Sequence, residues 1–138
     1  MSLNDAGAGD MHWLDDIILF KPIDYRPFDL VPREPGVKQI DISKTALPKA
    51  DAILCRHVLI HMDPPRVQAT LQFFMQSARY LIASQYPTDN KFDPNVYFNR
   101  TNLTIPPYGL GEPIAITRDT DDEGCFLAVW DLARLPIC

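Results

Sequence analysis

Carboxylates and glycines recur where the hydrophobic pattern places the ends of strands. Asp5 precedes Gly7 and Gly9, Asp29 closes one apolar segment, Asp41 closes the next, and Ala50–Asp51–Ala52–Ile53–Leu54–Cys55 runs into Arg56 and His57. A carboxylate accepts hydrogen bonds from hydroxyl, amino or ammonium groups, and glycine lets a backbone approach a ligand closely. His57 and His61 both follow the Ala52–Cys55 segment, and imidazole is the side chain that exchanges a proton near neutrality. They are therefore the candidate bases. Each residue has a plainer use: aspartates begin turns and cap helices, and Gly-Ala-Gly makes a tight turn. The ordered set argues for a site, because ligands of an open parallel sheet bind outside the carboxyl ends of its strands. A dinucleotide suits this loop poorly. His12 stands where G-x-G-x-x-G needs its third glycine, and Asp10 would repel a pyrophosphate. His57 and His61 also lack the neighbouring ligands of a zinc site.

The elements that must position these groups follow from apolar spacing and from the 13 prolines that punctuate the chain. Met1–Asn4 reads as the end of a strand and Asp5–Asp10 as a small-residue turn. Met11–Leu19 has helical spacing through Trp13, Leu14, Ile17 and Ile18. Tyr25–Leu30, Val37–Ile42, Ala52–Cys55 and Arg79–Ser84 read as strands. Asp63 is a good N-cap with Pro64 in the first turn, and Val67, Leu71, Phe74, Met75 and Ala78 are placed on one helical face. Residues 86–113 are irregular and rich in Pro, Asn and Gly. Ile114–Arg118 and Phe126–Leu132, joined by the acidic turn from Asp119 to Gly124, are expected to pair antiparallel, with Arg118–Glu123 as a solvated hairpin end. This order predicts one α/β domain over 1–138: a Rossmann-like, mainly parallel sheet with a C-terminal antiparallel hairpin.

Composition narrows the function further. A chain of 138 residues with 46% hydrophobic residues suits one globular domain. A net charge of −5 argues against nucleic acid as the main partner. No apolar run approaches the roughly 18 residues of a membrane span, and the N-terminus carries no secretory pattern. Cys55, Cys125 and Cys138 are odd in number and widely spaced, which fits thiols in a reducing compartment. A cytoplasmic protein is expected, so the Asn99–Thr101 and Asn102–Thr104 glycosylation patterns are treated as chance matches.

Taken together, these motifs resemble the class I S-adenosylmethionine-dependent methyltransferases. Asp5-x-Gly7-x-Gly9 is similar to their first motif, and Gly9–Asp10–Met11–His12–Trp13–Leu14 looks like that of a bacterial and phage subgroup. Phe28–Pro32 resembles the subgroup's second strand, and Asp41–Ile42 with Leu47–Met62 its third and fourth motifs. Asn102–Leu103, Pro106–Leu110 and Val129–Leu132 resemble its downstream segments. The resemblance implies S-adenosylmethionine as cofactor, with Asp5, Gly7, Gly9, Asp10 and Trp13 around its binding loop. It implies Asp29 on the ribose hydroxyls, Asp41 on the adenine amine, Ile42 against the ring, and Cys55 and Arg56 beside the methionine moiety. Methyl transfer to a small-molecule or sugar acceptor is then expected, with His57 or His61 as base and Asn99 and Arg100 as acceptor contacts in the irregular segment. Only Met1–Asn4 precede Asp5, and the family's helix after Asp29 is replaced by proline-rich Val31–Gly36. A homodimer or weak cofactor affinity is the expectation from that shortening. The alternative is a degenerate, non-catalytic domain serving as a cofactor-binding or interaction module.

Overall fold

The computed structural model describes residues 1–9, 11, 22–119 and 124–134. The strands are β1 (Ser2–Ala6), β2 (Asp24–Asp29), β3 (Lys38–Gln39), β4 (Ala50–Cys55), β5 (Ala78–Gln85), β6 (Ala115–Arg118) and β7 (Phe126–Asp131), with helix α1 at Pro64–Ser77. They form one seven-stranded sheet in the order β3-β2-β1-β4-β5-β7-β6. β1 to β5 are mutually parallel, whereas β7 runs antiparallel to both β5 and β6. The mainly parallel sheet with its C-terminal hairpin is thus present as the apolar pattern predicts, and the structure adds the register, which pairs Ala115 with Val129 and Arg118 with Phe126.

β1 and β4 lie at the centre, and Leu3 to Ala6 are all buried, as a strand covered on both faces requires. Asp5 belongs to this strand rather than to the turn after it. β3 is only two residues long because Asp41 starts a turn, its carbonyl accepting from Lys44 N and Thr45 N. Asp63 caps α1 by accepting from Arg66 N at 3.0 Å. Val67, Leu71 and Phe74 are buried in the core with Ile53, Leu81 and Trp130. Met75 departs from the expected face: it is 39% exposed, since one step beyond Phe74 turns it about 100° away. Ala78 already belongs to β5. The Met11–Leu19 helix, apart from Met11 itself, lies outside the described residues.

The irregular segment between β5 and β6 is held by three amide side chains. Gln85 Nε2 donates to Asn102 Oδ1 at 2.6 Å, and Leu103 N donates to Gln85 Oε1 at 2.8 Å. Asn90 donates to the carbonyls of Asn102 and Pro106 at 2.7 and 3.0 Å, and its own oxygen accepts from Asn102 N at 2.8 Å. Among the described residues no helix is long and apolar enough to cross a membrane.

Candidate functional site

A cleft of about 460 Å³ opens at the carboxyl ends of β1, β2, β3 and β4. It sits where the strand order reverses between β1 and β4, the place where open α/β sheets bind ligands. Gly7, Gly9, Asp29, Asp41, Ile42, Arg56, His57 and His61 all line it. Eight of the residues singled out by type and order thus share one cavity.

The loop after β1 hangs on the end of β2. Gly7 N and Ala8 N donate to Phe28 O at 2.9 and 3.0 Å. Gly9 N donates to one Asp29 carboxylate oxygen at 3.0 Å, and Val31 N to the other at 3.1 Å. Gly7 and Gly9 have φ of 99° and 59°, left-handed values at which a side chain is strained. A Cβ on Gly7 would stand 2.2 Å from Val58 Cγ2, whereas one on Gly9 would meet nothing within 4 Å. Gly7 is therefore required by packing, and Gly9 keeps the cleft open.

Asp41 accepts from Ser43 N at 3.0 Å and from Ser43 Oγ at 2.6 Å, both on Oδ1. The Ser43 hydroxyl holds its carboxyl below the usual range, so Asp41 is an ionised acceptor. Its Oδ2 is 3.9 Å from Lys44 Nζ. Leu30, Val31, Ile40 and Ile42 supply the apolar wall between the two aspartates.

Asp5 and Cys55 lie beneath this cleft, not on it. Both are buried. Burial raises the Asp5 carboxyl to about 6, with Tyr25 Oη donating to it. Burial also pushes the Cys55 thiol far up, which leaves it a core group rather than a nucleophile. Asp10 and Trp13 lie outside the described residues. Asn99 ties its own loop together, accepting from Asp93 N at 2.9 Å and donating to Asp93 O at 3.1 Å. Arg100 stands off the cleft with its guanidinium 6.0 Å above the Tyr86 ring.

The two histidines are held differently. His61 is exposed, its ring 4.9 Å from that of Tyr97. His57 adopts φ 57°, donates from its backbone N to Ser84 Oγ at 2.9 Å, and places Nε2 3.2 Å from Asp119. Arg56 forks onto both oxygens of the same carboxylate at 2.9 and 2.8 Å. Of the hairpin end expected to be solvated, Arg118 is exposed and residues 120–123 lie outside the described residues, but the Asp119 side chain is only 3% exposed. Its pairing with two basic residues at the end of β4 takes it inside. Type and spacing did not single out Asp119, because nothing local distinguishes it from the acids that follow.

No protein-family model matches the chain, and no curated protein matches it. Solved structures do. An O-methyltransferase family 2 protein from Planctomyces limnophilus DSM 3776, in complex with apigenin, superposes with a TM-score of 0.68 at 12% identity, over 94% of this chain and 50% of that one. The mitomycin 7-O-methyltransferase MmcR superposes at 0.66 and 13% identity, over 94% and 48%. The magnesium protoporphyrin IX methyltransferase of Synechocystis PCC 6803, with bound SAH, superposes at 0.59 and 16% identity, over 92% and 72%. The chain has the Rossmann-like fold of these methyltransferases. It spans about half the length of the first two.

Proposed function

We propose that the cleft binds S-adenosylmethionine and that the chain transfers its methyl group to a small-molecule acceptor. The observation that carries this reading is the convergence of Gly9, Asp29, Asp41 and Ile42 on one cavity at the sheet's switch point. Their chemistry fits the cofactor. Each Asp29 oxygen takes one backbone N–H and retains a second acceptor direction for a ribose hydroxyl. Asp41 Oδ2 is left to an exocyclic amine by the Ser43 bonds to Oδ1. The apolar wall would cover the adenine faces. The cofactor, when bound, supplies an activated methyl group, so the protein's main task is to position two reactants. Positioning can lower a barrier by roughly 7–11 kcal/mol. His57, anchored by Ser84 and Asp119, is the better-held of the two candidate bases.

Asp29→Ala removes the acceptor of the ribose hydroxyls and loosens the glycine loop. Losing such bonds costs about 1–3 kcal/mol, so affinity for S-adenosylhomocysteine is expected to fall about 5- to 150-fold in calorimetry. Unchanged affinity removes Asp29 from the site. A wild-type chain that binds neither S-adenosylmethionine nor its product ends the cofactor reading.

A further inference from the structure

A second chamber, of about 220 Å³, adjoins the cleft, and His61, Met62, Arg66 and Tyr97 line both. Its outer wall is the lip after β5, which adds Phe92 and Val96. The lip has a fixed shape. Asn99 closes its base, accepting from Asp93 N and donating to Asp93 O. Asn99 N donates to Ile60 O at 2.8 Å, which fastens the lip to the turn that carries His61. The Tyr97 ring is thereby set 4.9 Å from that of His61 at an interplanar angle of 56°, yet Tyr97 is 86% exposed. Phe92, Val96 and Phe98 of the same lip are exposed as well. Large apolar side chains that cluster uncovered beside a cavity mark a surface that meets a ligand or partner.

Charge does not choose what enters this chamber. Asp63 and Asp93 offset Arg66 and His61 around it. Each carboxylate also accepts a backbone N–H of its own turn, from Arg66 at 3.0 Å and from Asn95 at 2.9 Å. Ring surface is what remains. A tyrosine ring offers a second ring offset-stacked or edge-to-face contact, a gain beyond simple burial. A saturated body of the same size gains burial alone. We propose that the His61–Tyr97 pair selects the acceptor and that the acceptor is a flat aromatic compound, seated in the side chamber with its ring against Tyr97. This rests on the methyl-transfer reading above. With less than half the volume of the cleft, the chamber suits one or two fused rings rather than a polymer. The lip is tied down by Asn99 before any ligand arrives, so binding does not have to order it.

Two bicyclic alcohols separate ring from bulk: 2-naphthol, which is flat, and decahydro-2-naphthol, its saturated counterpart. Each is titrated into the full chain in the presence of S-adenosylhomocysteine, with affinity read from NMR shifts of the labelled chain. The wild type is expected to prefer 2-naphthol. Tyr97→Leu keeps apolar bulk without a ring. It is expected to bind 2-naphthol about 2- to 12-fold more weakly and decahydro-2-naphthol as before, whereas Tyr97→Phe retains the preference. Equal binding of the two alcohols by the wild type overturns the proposal. So does a preference that survives undiminished in Tyr97→Leu. A separate titration with S-adenosylhomocysteine alone distinguishes the failures. A chain that binds it but shows no preference between the alcohols removes aromatic selection only. A chain that prefers 2-naphthol but does not bind it removes methyl transfer, and the acceptor role of the lip with it.

Discussion

On the β1–β2 side of the cleft, the polar ties are local. Asp29 reaches Gly9, 20 residues back, and Val31, two residues on, while Asp41 reaches Ser43 and Lys44. On the β4 side, Arg56 is tied to Asp119 across 63 residues and His57 N to Ser84 across 27. One wall is a set of turns that a short stretch of chain can specify, and the other exists only once the hairpin has docked. Gly7 joins them, because its missing side chain is what lets Val58 pack beneath the loop.

Gly7→Ala attacks that junction. It combines a left-handed backbone, costing of order 1–3 kcal/mol, with a clash against a packed side chain, typically about 1–3 kcal/mol. A loss of about 2–6 kcal/mol is expected in chemical denaturation, and Gly7→Ala/Val58→Ala should recover the part due to the clash. Near-wild-type stability of the single variant would mean that the two walls are not joined there.

A second variant probes what lies under the junction. Burial raises the folded Asp5 carboxyl to about 6 from its ordinary value of 3.8. Between those values the folded chain holds a proton that the unfolded chain has released, so this group's contribution to stability falls as pH rises and is flat above the window. Asp5→Asn keeps an oxygen for the Tyr25 hydroxyl and removes the charge. It should therefore gain stability relative to wild type as pH rises from 4 to 6, by about 1–3 kcal/mol at pH 7. A difference that does not vary with pH removes Asp5 ionisation from the stability profile.

The smallest effect is expected at Gly9. An alanine there meets no atom within 4 Å and bears only the strain of φ 59°, about 1–2 kcal/mol. Its cost should show mainly in affinity for S-adenosylhomocysteine, since the new methyl points into open space. A loss of stability equal to that of Gly7→Ala would erase the distinction between the packed glycine and the open one.

The same contrast explains what could be read from the chain. The succession of strands along the chain and the hairpin pairing were legible because apolar spacing, proline stops and the Asp63–Pro64 cap are local signals. The ordered acids at strand ends located Asp29 and Asp41, whose carboxylates are held by their own turns at the cleft. Asp5 was placed one step too far out, because a buried carboxylate inside a central strand looks in sequence like the start of the glycine turn. Asp119 was illegible for the opposite reason. It stands at the head of an acidic turn whose composition speaks for solvent, and its pairing with Arg56 and His57, far back in the chain, accompanies its burial. Arg66 and Tyr97, which also line the cleft, carry no motif at all.

The amides of Gln85, Asn90 and Asn102 give the long segment after β5 a scaffold that secondary structure does not. Residues 92–98 lie outside those bonds and are exposed, with Tyr97 reaching the cleft mouth. Framework and lip are thereby separable. Sequence drift can recut the lip, and with it what enters the cavity, while three side-chain amides keep the frame, so a change of diet need not be a change of fold.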